Sequence, residues 1–194
     1  MPAPMKFVGG LPCLDFVNTV GGWRQGRVFE DKLETYSDLV RWASLAGVDV
    51  TPPSRPNPPD TAKVLARARA LRRALYRLLN SLLEKRTPAP ADLAVFRAEL
   101  AIARNHQTVI LKDGKLVWAF DDPHALDAVL WRVSQSAADL VTSPDLDRVR
   151  RCAGETCGWM FLDTTRNHSR HWCDMQDCGN LAKVRRFRKR QALR

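Results

Sequence analysis

The sequence predicts an α+β protein, mainly α: a helical N-terminal domain with one β-hairpin, residues 1–143, then a small C-terminal domain, residues 144–194, ending in a basic helix. Three observations predict it. Between residues 60 and 140, apolar side chains recur at three- and four-residue steps, the period of a helix with one buried stripe. One segment, 107–120, instead reads as a β-hairpin: Asp113-Gly114 is a favoured type I′ turn, and Leu116, Trp118 and Phe120 alternate after it. Beyond Ser143-Pro144 the composition changes, and four of the five cysteines and most of the excess positive charge follow.

Taken in order, residues 6–20 hold Phe7, Val8, Leu11, Leu14, Phe16 and Val17 between two Gly-Gly pairs. Such a run fits a buried strand or a short helix, and periodicity does not choose. Asp15, Asn18 and Thr19 are polar groups at its end. They are candidates for a ligand pocket, and equally for caps and turns. Cys13, alone among the cysteines in having no nearby partner, reads as a small buried hydrophobe. Ser37–Gly47 reads as a helix, with Gly47 placed to end it in the left-handed conformation. Thr51–Pro59 carries five prolines in nine residues and reads as a loop.

Asp60–Arg86 is the longest helical pattern, with Asp60 as its expected N-cap. Val64, Ala68, Leu71, Leu75, Leu78 and Leu82 form its stripe, and Lys63, Arg67, Arg69, Arg72, Arg73 and Arg77 lie off it. That cationic side reads as a solvated face, or alternatively as a second phosphate or partner surface. A shorter helix follows from Pro90 to about Asn105. After the hairpin, Asp122 is expected to cap a helix with Pro123 in its first turn, running to the break at Ser143-Pro144. Leu146–Arg151 is expected to be extended. Trp159–Leu162 should supply a strand and the small domain's apolar core, joined by Trp172. In the final helix Leu181, Val184 and Phe187 fall at three-residue steps and could pack against the cysteine loops.

The cysteines carry the chemistry. Cys152 and Cys157 form one pair and Cys173 and Cys178 another, each with four intervening residues. Two such turns can supply the four tetrahedral ligands of a structural zinc site, although this spacing is at the long end of the usual range. Gly154 and Gly158 give the first loop the backbone freedom to wrap an ion. A segment this short cannot fold on apolar burial alone, so one zinc per chain would supply its folding energy, on the order of 10 kcal/mol. Two disulfides are the competing reading. The N-terminal residues MPAPMKFVGGLPCLDF hold one lysine and no apolar run of signal length, so a reducing, cytoplasmic setting is expected, and thiols there favour metal. Four thiolates close the coordination shell and leave no position for a catalytic water. His168 and His171 lie between the pairs and could replace cysteines as ligands, and a mixed site with an open position would restore an enzyme reading. With no serine nucleophile elbow, no phosphate loop and no zinc-deaminase signature, the chain is not expected to be an enzyme.

This stretch resembles the CGNR zinc-finger family of bacterial transcription regulators. The resemblance rests on Arg151-Cys152, Cys157, Asp163 through Arg170 (DTTRNHSR), Trp172-Cys173, Met175, Cys178-Gly179-Asn180 and Ala182 through Arg186. The arginine that gives the family its last letter is Leu181 here. Leu14 through Thr19 and Leu39 through Gly47 are similar to that family's usual N-terminal partner, a stress-induced regulator domain. The resemblance implies DNA binding, transcriptional control and the four cysteines as a zinc-ribbon-like site.

Charge distribution points the same way. The net charge is +10, and residues 148–194 hold 12 Lys or Arg against 4 Asp or Glu, leaving near neutrality elsewhere. Concentrated positive charge beside a metal site is the footprint of a polyanion-binding element. Lys183, Arg185, Arg186, Arg188, Lys189 and Arg190 on the last helix are the expected phosphate contacts. Arg166, Asn167, Ser169 and Arg170, on the preceding loop, are the expected base or phosphate contacts, since arginine can read guanine and asparagine adenine. The expected partner is duplex DNA. A small-molecule effector and a second copy of the chain are candidate further partners, and no run is long enough for a membrane span. RNA is the alternative nucleic acid, disfavoured by the lack of exposed aromatic clusters. The alternative of another class is a ligand-binding or enzymatic N-terminal domain with an accessory basic zinc module.

Overall fold

The stretch at 6–20 settles as a helix, α1 (Pro12–Val17), which opens on a proline because the first helical turn has no use for that residue's missing N–H. Cys13, Leu14, Phe16 and Val17 on it are wholly buried. A helix enclosed on nearly every side shows no polar stripe, which is why its period could not be read. Cys13 is the expected buried hydrophobe, and burial pushes its thiol up to about 12. The computed structural model to which α1 belongs describes residues 5–23, 30–51 and 56–192. Six α-helices and three two-stranded antiparallel sheets occupy them, so the protein is α+β and mainly helical.

Strands β1 (Val20–Gly21) and β2 (Glu30–Asp31) pair after α1. Helix α2 (Tyr36–Leu45) starts with a capping box in which Thr35 and Asp38 satisfy each other's backbone N–H groups. Gly47 follows with φ +68°, the left-handed turn expected of it. Helix α3 (Pro58–Leu83) begins earlier than expected: its N-cap is Asn57, not Asp60, and Pro58 and Pro59 fill the first turn. Within the proline-rich segment, residues 52–55 lie outside the described residues. Helix α4 (Pro90–Asn105) packs on α3, and β3 (Gln107–Lys112) and β4 (Lys115–Phe120) form the predicted hairpin. Asp113 (φ 50°) and Gly114 (φ 74°) are both left-handed, as a type I′ turn requires. Asp122 does not cap the next helix. It accepts from the His124 N–H (2.9 Å) in a local turn, and α5 starts only at Ala128, running to Val141. Helices α2, α3 and α5 surround α1, and Phe16 meets Trp42 of α2 edge-to-face at 5.2 Å.

The cationic side of α3 is divided: Lys63, Arg73 and Arg77 are exposed, as on the expected solvated face, whereas Arg67, Arg69 and Arg72 are drawn into the fold. Arg67 forms a double hydrogen bond with Glu99 of α4 and reaches Asp127 at 2.8 Å. Arg72 is buried and grips Asp31 with two nitrogens while donating to Thr19 Oγ1 at 2.8 Å. Arg77 pairs with Asp92, and Arg69 donates to the carbonyls of Leu33 and Glu34. The physical reason is that α3 is central: neighbours cover several of its sides, and a cation there persists only when paired.

The chain breaks after α5 as predicted; of the segment Leu146–Arg151 expected to be extended, the first three residues belong to a 3-10 turn, Pro144–Arg148, and the last three are a strand. Strands β5 (Val149–Arg151) and β6 (Met160–Leu162) then pair. The expectation that this hairpin builds a separate core for the small domain is corrected. Alternation along β6 sends Met160 and Leu162 into the main core with α1 and α3, and Phe161 to the cysteines.

Candidate metal centre and nucleic-acid interface

Cys152 leaves the end of β5, and Cys157 lies on the loop that returns to β6. Cys173 precedes, and Cys178 lies within, the short π-helical turn Met175–Gly179. The four sulfurs lie within 4.8 Å of one another. Cys157–Cys173 and Cys173–Cys178 are each 3.7 Å between sulfurs, close to the edge of about 3.8 Å that a tetrahedron of 2.3 Å zinc–sulfur bonds requires. The geometry therefore fits a single zinc ion held by all four cysteines, and all five cysteines of the chain are unbridged. Neither histidine joins them. His168 is exposed at φ 48°, and His171 is exposed with its carbonyl accepting from Ala153.

The loop backbone prepares the site. Gly154 N–H and Cys173 N–H both point at Cys152 Sγ, at 3.4 and 3.3 Å, so Cys152 is the sulfur most ready to be a thiolate. Thiol hydrogen bonds from Cys157 and Cys173, and then these N–H groups, pull it well below the usual thiol range, while the bond to Cys152 pushes Cys157 up. A divalent cation at the centre removes that opposition, because it stabilises every thiolate together. Gly154 is required by space: a Cβ there would stand 3.1 Å from Cys157 Cβ and 3.2 Å from Cys178 Sγ. Trp159 and Trp172 pack against the cluster of Cys152, Phe161 and Cys173, as expected for Trp172.

Two family models match this chain. One, described as a putative stress-induced transcription regulator, covers residues 10–144, and the other, the CGNR zinc finger, covers residues 148–191. The chain belongs to the putative stress-induced transcription regulator family. It is a zinc-binding member whose second module is a CGNR zinc finger with one zinc at Cys152, Cys157, Cys173 and Cys178. A search of curated proteins finds no match.

The zinc finger of this regulator is tied to the helical part through contacts that no motif announces. Asn18 clamps β6: its Nδ2 donates to the Met160 carbonyl (2.8 Å) and its Oδ1 accepts the Met160 N–H (2.9 Å). Trp159 Nε1 donates to the Val20 carbonyl, Arg151 reaches Asn80 and Glu84, and Lys6 pairs with Asp174 and Asp177. This corrects the pocket reading of Asp15, Asn18 and Thr19. Asp15 accepts the Gly9 N–H, Thr19 donates to Phe16 O and accepts from Arg72, and all three are buried with these polar atoms occupied.

The loop before Trp172 is organised by Asp163, which accepts from Thr165 N–H, Thr165 Oγ1 and Arg170 N–H. The Thr165 hydroxyl and these N–H groups hold its carboxyl down to about 2. The result is a tight turn that presents Arg166, Asn167 and Ser169 to solvent. Arg170 departs from its expected role. Its guanidinium donates to the carbonyls of Val8, Trp172 and Cys173 and stacks 4.1 Å over Phe161, so it locks the loop to the N-terminal segment.

Helix α6 (Asn180–Gln191) leaves the last ligand through the π turn and has no buried residue. Its expected packing on the cysteine loops is corrected: Leu181, Val184 and Phe187 are 57%, 46% and 61% exposed. Its cations are exposed too. Arg185 pairs with Glu155 at 2.8 Å, and among the described residues no carboxylate pairs with Lys183, Arg186, Arg188, Lys189 or Arg190. Arg185, Arg186 and Lys189 line a cleft of about 300 Å³ between α6 and the first cysteine loop, and Leu181 stands in its wall.

Proposed function

We propose that the protein regulates transcription by binding duplex DNA through its zinc module, with the helical part as sensor. The reading rests on one observation above the others: a helix bearing six exposed cations, five of them without a carboxylate partner among the described residues, starts beside a zinc ligand. Zinc sets the direction in which α6 leaves the protein. Lys183, Arg185, Arg186, Arg188, Lys189 and Arg190 neutralise phosphates and release their counterions. Arg166, Asn167 and Ser169 lie on the loop that also leads into the zinc site and supply hydrogen bonds to bases or phosphates. The protein works by binding rather than catalysis, since four sulfurs leave zinc no open position. Among the described residues no helix is long and apolar enough to cross a membrane, and we place the protein in the cytoplasm, where its operator would be.

A salt titration of affinity for duplex DNA tests this. Neutralising about six phosphates gives a log–log slope near −5. A flat dependence would rule the reading out. For the sensor role, a thermal-shift screen of metabolites against the full chain should find a stabiliser.

A further inference from the structure

The β3–β4 hairpin is the least covered part of the helical region. Directly opposed residues share a face of an antiparallel pair, so Gln107–Phe120, Val109–Trp118 and Leu111–Leu116 lie on one side. Its outer part is apolar and open to solvent: Val109 is 48% exposed, Leu111 72%, Leu116 74% and Trp118 69%. A two-stranded hairpin is marginal in water unless a further layer covers it. Here only its root is held, where Phe120 packs on Trp131 of α5. At that root, Gln107, Trp118 and Phe120 form one wall of a groove of about 560 Å³, whose other walls are α1 and α5. The groove is apolar with an acidic rim: Asp49, Asp139 and Asp145 border it against a single cation, Arg132. The opposite side of the hairpin carries Ile110–Val117 and Lys112–Lys115, with Ile110 and Val117 less exposed than the leucines.

We propose that a second copy of the chain covers this face, each copy seating the tip of its hairpin in the groove at the root of the other's. Two hairpins packed face to face and antiparallel bring tip over root, with the two-fold axis near the Val109–Trp118 pair. Leu111 and Leu116 of one copy then enter the other's groove. Every contact occurs twice, as a closed two-fold interface demands. The four apolar side chains leave on the order of 500 Å² in water per copy, so pairing removes roughly 1,000 Å², the size at which specific interfaces begin. Pairing also removes an exposed apolar sheet face that would otherwise invite aggregation. Self-association here requires no nucleic acid, so it stands or falls separately from DNA binding.

Sedimentation equilibrium of the zinc-loaded full chain, without DNA, tests it. A dimer is expected in the micromolar range. Leu111→Lys with Leu116→Lys should weaken it by about a hundredfold at an unchanged melting profile, since both side chains already face water. Val109→Glu with Trp118→Glu, which sets like charges against each other at the two-fold axis, should weaken it by about tenfold at low salt. This second set decides the matter if the leucine variant is poorly folded. A wild-type monomer throughout the micromolar range overturns the proposal, and that includes a groove occupied by a small molecule instead. A dimer indifferent to both sets of substitutions overturns it equally.

Discussion

Helices α3 and α6 carry similar sets of arginines and use them in opposite ways. On α3, Arg67, Arg72 and Arg77 each meet carboxylates from other segments, at Glu99 and Asp127, Asp31, and Asp92. On α6, among the described residues, one of six cations finds a carboxylate, Glu155. The difference lies in surroundings rather than in residue type. Neighbours pack around α3 on several sides, and a cation there is tolerated only because an anion comes with it. Helix α6 touches the protein chiefly at its zinc-bound start, so among the described residues Glu155 alone pairs with its charge. Arginine that holds a fold together and arginine left for a polyanion look alike in one dimension.

Removing zinc should break the contrast most strongly. Chelation, or Cys173→Ser, withdraws folding energy on the order of 10 kcal/mol from the segment that launches α6. Metal content should fall from one per chain to none and DNA affinity should collapse, while most of the helical circular dichroism, contributed by α1 to α5, survives. Full helicity with intact DNA binding after chelation would separate α6 from the metal.

Next in size is the exchange of roles between the helices. Arg72→Ala leaves the Asp31 carboxylate and the Thr19 hydroxyl without their partner under α3 and should destabilise by about 3–5 kcal/mol in urea unfolding, with DNA affinity per folded molecule unchanged. Arg186→Ala on α6 should do the reverse: stability within about 0.5 kcal/mol, and the salt slope of DNA binding shallower by about 1. Asn18→Ala should fall between them in stability, at about 1–3 kcal/mol, because it unhooks the backbone of Met160 from the helical part.

The smallest effect is an acid one. Burial raises the Asp31 carboxyl, but Arg72 outweighs it and the net shift is downward, and Asp163 is held near 2. Both are depressed on folding, so their stabilisation is complete above an unfolded pKa of about 3.9 and is lost as pH falls towards 2. Unfolding curves should be indifferent to these two groups between pH 7 and 5 and should lose stability below about 4. A loss from these carboxylates already at pH 6 would contradict the geometry.

How much of this was readable in one dimension depended on the range of the interaction. The hairpin turn at Asp113-Gly114 and the end of α2 at Gly47 follow from backbone preferences of single residues, and both appear as expected. The cysteine pairs were readable because metal ligation demands particular atoms in close register. Asp60 and Asp122 were misplaced as caps because Asn57 with two prolines, and a local turn at His124, compete for the same backbone. The clamp from Asn18 to Met160 spans 142 residues and leaves no local trace. Arg170 matched the family motif yet serves the fold, since only a fold brings the Val8 carbonyl to it.

Local chemistry settled the helix periods, the turn, the four sulfurs and where positive charge accumulates, since each depends on residues near one another along the chain. Which cations are spent inside the molecule and which face solvent was decided by packing, because pairing depends on what the chain folds against. The same holds for β6, shared between two cores, and for the bare faces of α6 and the hairpin. Burial is a property of three-dimensional neighbours, and Arg72 meets Asp31, 41 residues away in the chain, only through the fold.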